Sequence, residues 1–227
     1  MSGQPAHDTA GVPAGRMVAV LGLVAMAAGL LVVLAEELSA PFIAANRAAA
    51  LTRALDDVLP DSVTRVRRVL TADGLGPADA DGVPVFLGYD ADGRLTGVAL
   101  EGAAQGYAGP VRVLWSWDPA CRCTAGMRVL EMRETPGLGD RIATDPAFQA
   151  NFDGLAVRLA ADGEGLAHPV RAVKHGTRDA PWEIDAVSGA TVSSVAVARA
   201  IDASAGAVLP RLAPHLERVR QLGEPTP

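Results

Sequence analysis

Residues 185–194 read DAVSGATVSS and introduce the clearest helical pattern in the second half of the chain. From Gly189 to Val208, apolar residues recur every three or four positions, which predicts a helix with Thr191 in its first turn. The first turn of a helix has about four N–H groups without intrahelical acceptors and carries the positive end of the helix dipole. Such a terminus stabilises a phosphate, and Gly189 lets the backbone approach it closely. Taken alone, the stretch also fits an ordinary helix cap.

A second stretch, residues 134–140, reads ETPGLGD. Pro136 fixes one backbone angle, and the two glycines permit conformations that are closed to other residues. The stretch therefore predicts a tight loop, which is able to lie flat against a ring. Taken alone, it also fits a simple turn at the end of a strand.

Together and in this order, the two stretches resemble one family. It is the covalent-flavin domain shared by the G subunit of the Rnf ion-translocating electron-transport complex and the C subunit of the sodium-pumping quinone reductase. A third, looser match is GYAGPV at residues 106–111, and the similarity covers roughly residues 17–205. In this family the threonine of Ser-Gly-Ala-Thr receives flavin mononucleotide (FMN) through a phosphoester. The resemblance implies one covalent FMN on Thr191.

The resemblance also implies which residues surround the FMN. The candidate cofactor-binding residues are Thr191, Ser188, Gly189, Ala190, Asp185, Glu134, Thr135, Gly137, Leu138 and Tyr107. Thr135 and Leu138 are expected nearest the flavin ring, and Glu134 is expected to position backbone or the ribityl chain. Tyr107 either stacks on the flavin or belongs to the core. Asp185 either holds a divalent metal for the attaching enzyme or closes the turn as an Asx cap.

The apolar run at residues 17–35 carries no charge, and as a helix it would span roughly 28 Å, about the thickness of a bilayer core. The alternative is a cleaved secretory signal, because the small residue Ala35 offers a cleavage position. A retained anchor is favoured, since the run exceeds the ~7 to 15 residues of a usual signal core.

Flanking charges predict the orientation of this anchor. Arg16 precedes the run, and Glu36 and Glu37 follow it. By the positive-inside tendency, residues 1–16 form a disordered cytoplasmic tail, and residues 36–227 form one domain outside the cytoplasm.

The remaining pattern predicts an α+β fold, with a single N-terminal transmembrane helix followed by one FMN-binding domain that has an antiparallel sheet and flanking helices. The expected elements are an amphipathic helix at 41–59, a hairpin of 83–89 and 94–100, a second strand pair at 111–117 and 127–134, a short helix at 147–155, strands near 155–160 and 170–174, and the helix at 189–208.

Composition and missing motifs exclude several functions. A net charge of -6 and a pI near 5.2 argue against a nucleic-acid partner. Hydrolase and nicotinamide-dehydrogenase signatures are absent, and no residue is predicted to be catalytic or to bind a resident metal. Cys121 and Cys123 lack the second ligand pair of a zinc site. They form a small disulfide, bridge to a partner or stay reduced.

The resemblance therefore predicts an electron-transfer subunit of an Rnf-type ion-translocating oxidoreductase in the bacterial inner membrane, with its soluble domain on the periplasmic side. Its partners would be the other subunits of the complex, a flavin transferase that attaches the FMN, and the membrane. The nearest alternative is the C subunit of a sodium-translocating NADH:quinone reductase. An alternative of another class is a membrane-anchored assembly or interaction protein without an active flavin.

Overall fold

A six-stranded antiparallel sheet forms the centre of the part of the chain that follows residue 48, in a computed structural model that describes residues 14–72 and 74–221. Its strands lie in the order β2-β1-β3-β4-β5-β6. They are β1 Thr64–Thr71, β2 Gly74–Gly76, β3 Val83–Tyr89, β4 Leu95–Gln105, β5 Pro110–Asp118 and β6 Cys123–Glu131. The sequence predicted β3 to β6 as two pairs, and both pairs are confirmed.

Turn chemistry fixes the hairpin between β3 and β4. The Asp90 carboxylate accepts the N–H groups of Asp92 and Arg94 at 2.9 and 2.8 Å. Gly93 adopts φ +76°, a left-handed conformation that glycine takes without steric cost. The predicted turn at residues 90–93 therefore forms as expected.

Helix α4 (Thr191–Leu212) covers one face of the sheet. Alternate strand residues such as Leu100 and Trp115 point to it and are fully buried, and Trp115 Nε1 donates to Ser204 Oγ at 2.9 Å. Gly102 permits the close approach, since a Cβ there would collide with the backbone of Ala200. The predicted helix is confirmed; it begins at Thr191 and extends to Leu212.

Helix α1 (Ala14–Val58) includes the apolar run predicted as an anchor. From residue 14 to residue 48 its large apolar side chains are exposed, and it is long and apolar enough to cross a membrane. Of the tail predicted at residues 1–16, the first 13 residues lie outside the part of the chain that the structure describes.

The end of α1 packs on the other face of the sheet. Leu55 and Val58 form a second buried cluster with Phe86, Leu114 and neighbouring residues. The expectation of a separate helix beginning at Pro41 was wrong in one respect, because the helical backbone continues through this proline. The helix ends at Val58, ahead of Pro60, which disfavours helical backbone in the residue before it.

Short elements complete the domain, and several of them contact α4. They are α2 Arg141–Thr144, α3 Pro146–Gln149, a 3₁₀ turn at Ala150–Phe152, the parallel strand pair β7 Arg171–Val173 and β8 Glu183–Asp185, a 3₁₀ turn at Ala213–His215, and α5 Leu216–Gln221. Asp145 caps α3 through the N–H groups of Ala147 and Phe148, at 3.0 and 3.4 Å. The helix predicted at 147–155 is thus present but shorter.

The strand predicted at 155–160 was wrong. Its backbone groups bond in turn to different segments: Ala156 N–H donates to Pro181 at 2.8 Å, and Val157 N–H donates to Arg122 at 3.0 Å. The segment makes only isolated bridges, because it has no single partner strand for a continuous ladder. Cys121 and Cys123, on either side of Arg122, form a disulfide with each other.

The buried carboxylate of Glu183 predicts an acid-sensitive element of stability. It accepts hydrogen bonds from the N–H groups of Asp179 and Ala180 and from the guanidinium of Arg171. The Asp179 N–H, then Arg171, then Ala180 lower the pKa of Glu183 from its ordinary 4.5 to about 2. Because the folded-state pKa is the lower one, this stabilisation is complete above pH 4.5 and is lost as the pH falls toward 2.

We therefore expect Glu183→Gln to lower the melting temperature at neutral pH, and we expect the difference from wild type to shrink in this acid window. The matched control is Glu217→Gln. The Glu217 side chain is 82% exposed and is paired with Arg220, so its replacement should change little. Thermal melts of both variants between pH 2 and 7 test the assignment, and a pH-independent loss in Glu183→Gln contradicts it.

Candidate functional site

A cavity of about 440 Å³ lies where three segments of the domain meet. The loop before β5 contributes one residue, the loop after β6 contributes four, and the start of α4 with the two residues before it contributes the rest. Its volume falls within the ~300 to 1,000 Å³ of typical small-molecule and cofactor sites. The lining residues are Tyr107, Glu134, Thr135, Leu138, Gly139, Gly189, Ala190, Thr191, Val192 and Ser193.

The N-terminus of α4 opens into this cavity without a side-chain cap. The N-cap residue is Ala190, which has no polar side chain to offer the N–H groups of the first turn. Its own backbone is fixed, because Ala190 N–H donates to Val187 at 3.0 Å and Ser194 Oγ donates to the Ala190 carbonyl at 2.9 Å. Gly189 adopts φ +83°, which glycine readily allows. The turn is therefore rigid, and its first N–H groups remain available to an anion.

Glu134 holds the three segments together. It is only 8% exposed, and its Oε1 accepts the N–H groups of Tyr107 at 2.9 Å and of Ala108 at 3.4 Å. Its Oε2 accepts the hydroxyl of Ser193 at 2.7 Å. An ionised carboxylate is an acceptor-only group, and here both oxygens have donors. One side chain thus fixes both loops against the first turn of α4.

Two glycines make room for this carboxylate. A Cβ on Gly139 would lie 2.6 Å from Glu134 Oε2 and 3.0 Å from Ser193 Oγ. A Cβ on Gly106 would collide with Glu134 Oε1. The glycines of the two loops are therefore required by close packing around Glu134.

The cavity has an apolar rim. The Thr135 carbonyl accepts the N–H groups of Leu138 and Gly139, both at 3.1 Å, so that the loop turns tightly. Three apolar side chains around the opening are exposed: Leu138 (54%), Tyr107 (74%) and Val192 (51%). Exposed apolar groups gathered from three segments are typical of a surface that a ligand covers.

The structure brings seven of the ten predicted residues to the cavity. Gly137 occupies the outer turn of its loop with φ +78°, and Ser188 is adjacent to the lining, with its carbonyl accepting from Arg141 at 3.3 Å. Asp185 lies outside: its carboxylate accepts from Gly176 N–H at 2.6 Å and is 3.2 Å from His175 Nδ1. In this structure the Asp185 side chain fixes the loop at residue 176.

Three lining residues were absent from the predicted set: Gly139, Val192 and Ser193. Gly139 had a visible signal, since it is the second glycine of ETPGLGD. Ser193 had none, because its partner Glu134 is 59 positions away in the sequence.

Comparisons with known proteins agree with this geometry. Residues 106–205 match the family described as FMN-binding domain. The G subunit of the ion-translocating oxidoreductase complex of Cereibacter sphaeroides is 33% identical over 177 residues, which cover 78% of this chain and 76% of that protein. The corresponding protein of Aliivibrio fischeri is 32% identical over 189 residues, which cover 80% and 84%.

The chain belongs to this G-subunit family. A further member, from Methanosarcina acetivorans, is 36% identical over 126 residues, and the match spans 58% of that relative's length. Among solved structures, NqrC of Shewanella oneidensis has the same fold, with a TM-score of 0.55, 22% identity, and coverage of 73% of this chain and 87% of that chain. The family and the fold class predicted from the motifs are thereby confirmed.

The packing around Glu134 predicts the effect of enlarging Gly139. Gly139→Ala should destabilise the domain by about 1–3 kcal/mol, because the added Cβ displaces the carboxylate or the Ser193 hydroxyl. Gly206→Ala is the matched control, since α4 has open space at that position, and it should be neutral or stabilising by up to about 1 kcal/mol. Denaturant unfolding measures both variants, and equal stabilities for the two would refute the steric account.

Proposed function

We propose that this chain is the electron-carrying G subunit of a membrane-bound ion-translocating oxidoreductase, with FMN esterified through its phosphate to Thr191. The observation that carries the proposal is the position of Thr191. It is an exposed residue in an uncapped first helical turn, at a cavity to which both the 134–140 and the 185–194 stretches contribute.

The residues at the cavity fit each part of FMN. The N–H groups at the start of α4 and the left-handed backbone of Gly189 suit a phosphodiester, whose single negative charge such a terminus stabilises by ~0.3 to 1 kcal/mol or more. The apolar rim of Tyr107, Leu138 and Val192 suits a planar ring system and excludes water from it.

In this proposal the protein holds the FMN in place, and the FMN carries the electrons. Bound FMN supplies reversible electron transfer. Thr191 holds the FMN covalently, and the loop at residues 134–140 covers one side of it. Glu134 fixes that loop against the first turn of α4, which carries Thr191. A covalent tether keeps the carrier in place while its charge changes. No residue of the chain needs to act as an acid or a base.

Membrane anchoring follows from α1, whose charge-free run at residues 17–35 is exposed along its length. We place the domain on the periplasmic side. Arg16 before the run and Glu36 after it support this orientation, and so does the disulfide between Cys121 and Cys123, since disulfides persist in oxidising compartments.

The proposal predicts the acceptor hydroxyl. In cells that contain a flavin transferase using flavin adenine dinucleotide, Thr191→Ala should abolish the FMN mass increment and the in-gel flavin fluorescence of the denatured chain. Ser188→Ala, the neighbouring exposed hydroxyl, should keep both signals. Intact mass spectrometry of the two variants decides, and label lost only in Ser188→Ala would move the attachment to Ser188. A wild-type chain that never acquires the mass increment would favour the assembly-protein alternative.

The orientation predicts the result of a reporter experiment. Alkaline phosphatase fused after Pro227 should be active, because that enzyme needs the oxidising periplasm for its disulfides. A fluorescent protein that matures only in the cytoplasm, fused at the same point, should be dark. The reverse pair of signals would place the domain in the cytoplasm.

A further inference from the structure

A second cavity, of about 220 Å³, lies beside the turn between β5 and β6 and shares no residue with the FMN site. Its walls include Arg122, Arg158, Leu159, His168, Pro181 and Trp182. One of these residues, Arg122, lies between Cys121 and Cys123, whose disulfide is a feature that the proposed function leaves without a role.

The loop holds Arg122 in an unusual backbone conformation. Arg122 has φ +57° and is the only non-glycine residue with positive φ among residues 14–72 and 74–221. The disulfide closes on both sides of it, its N–H donates to Asp118 at 2.9 Å, and its carbonyl accepts from Val157 at 3.0 Å. Left-handed backbone at a bulky residue costs energy, and such residues occur often at ligand clamps. The disulfide and these two hydrogen bonds therefore fix the position of the Arg122 backbone, from which its side chain extends.

The two arginines of this cavity have no anionic partner among the residues that the structure describes. Neither the Arg122 nor the Arg158 guanidinium forms an ion pair or a hydrogen bond within the described residues, although both line one small space. Several other arginines of the domain are paired, such as Arg171 with Glu183 at 2.6 Å. In a chain with a net charge of -6, two exposed arginines that line the same cavity form a local site for negative charge.

An aromatic stack gives the cavity an apolar wall. The rings of His168 and Trp182 lie parallel, with their centroids 3.7 Å apart and an interplanar angle of 12°. Leu159 and the buried Ala156 continue this surface. Carboxylate recognition by arginine beside an apolar wall suits an acidic group on a short hydrocarbon stem.

We propose that this cavity receives an aspartate or glutamate side chain of a neighbouring subunit and is a docking point of the assembled complex; the existence of such subunits rests on the proposed function. The volume is below the ~300 to 1,000 Å³ of small-molecule sites but accommodates one side chain. Tryptophan and arginine, which surround it here, are the residue types enriched at the energetic centres of protein interfaces.

The first test is assembly of the complete complex. Arg122→Glu with Arg158→Glu should reduce recovery of the other subunits, co-purified with the full-length chain from native membranes and identified by mass, by at least about tenfold. The matched control is Arg67→Glu with Arg199→Glu, which makes the same charge change at two exposed arginines outside the cavity. It should assemble as wild type does. Assembly of the cavity variant at the wild-type level overturns the proposal.

The second test reads the cavity directly through Trp182. Trp115 and Trp117 are buried, so the fluorescence difference between wild type and Trp182→Phe reports the cavity. In the isolated chain, the anion iodide should quench Trp182 more than the cation caesium does, because the two arginines attract anions. In the Arg122→Glu, Arg158→Glu variant, caesium should be the better quencher. In the assembled complex, both quenchers should lose access. Trp182 that remains equally quenchable in the complex contradicts docking.

Two further measurements separate the remaining explanations. If millimolar succinate or benzoate protects Trp182 from iodide through the arginines while assembly is unaffected by their reversal, the cavity binds a free small acid and the docking proposal fails. The FMN mass increment is measured on every variant. If the Arg122→Glu, Arg158→Glu variant carries the FMN mass increment, its domain is folded. If that variant lacks the increment, the milder variant Arg122→Gln with Arg158→Gln replaces it in the tests. Absence of the increment from wild type would refute the proposed function without altering the quenching result.

Discussion

The cofactor cavity depends on one buried carboxylate. Glu134 joins segments that are 27 and 59 residues apart in the sequence, through the backbone of Tyr107 on one side and the hydroxyl of Ser193 on the other. Removing the Ser193 hydroxyl would leave Oε2 of this buried side chain without a donor, at a cost of about 1–3 kcal/mol, or more for a charged group. The loops around the cavity therefore keep their positions although they have no regular secondary structure. The rigidity of the site arises from this network, and the cavity would lose its shape without it.

The network is effective because one of its partners belongs to a well-fixed helix. α4 lies against the sheet over most of its length, with Trp115 bonded to Ser204 and Gly102 allowing contact with the backbone of Ala200. Its first turn is therefore placed by the core, and Ser193 transmits that placement to Glu134. The other face of the sheet is covered by the end of α1. The end of α1, from residue 49 to residue 58, and the helix that carries Thr191 thus contact opposite faces of the sheet.

The sequence predicted what local chemistry determines and missed what distant contacts determine. The turn at residues 90–93 and the start of α4 were predictable, because aspartate, glycine and apolar periodicity act within a few residues. Strand β1 was not predicted, since three arginines within Thr64–Thr71 obscure its alternation. The strand assigned to 155–160 has a strand-like composition but bonds to several segments in turn. Ser193 joined the site only through a contact across the fold, which no spacing rule reveals.

Alanine at the N-cap of α4 agrees with the proposed attachment of a phosphate at Thr191. Serine, threonine, asparagine or aspartate at an N-cap typically stabilises a helix by about 1 kcal/mol relative to alanine, by accepting from the N–H groups of the first turn. α4 lacks that stabilisation, although Ser194 Oγ fixes the turn that precedes the helix by accepting the Val187 N–H at 3.1 Å. A capping side chain would occupy the N–H donors that the proposed phosphate at Thr191 would use. The helix therefore begins with its N–H groups unused, and a phosphodiester at that point would supply both the missing cap and the charge that the dipole favours.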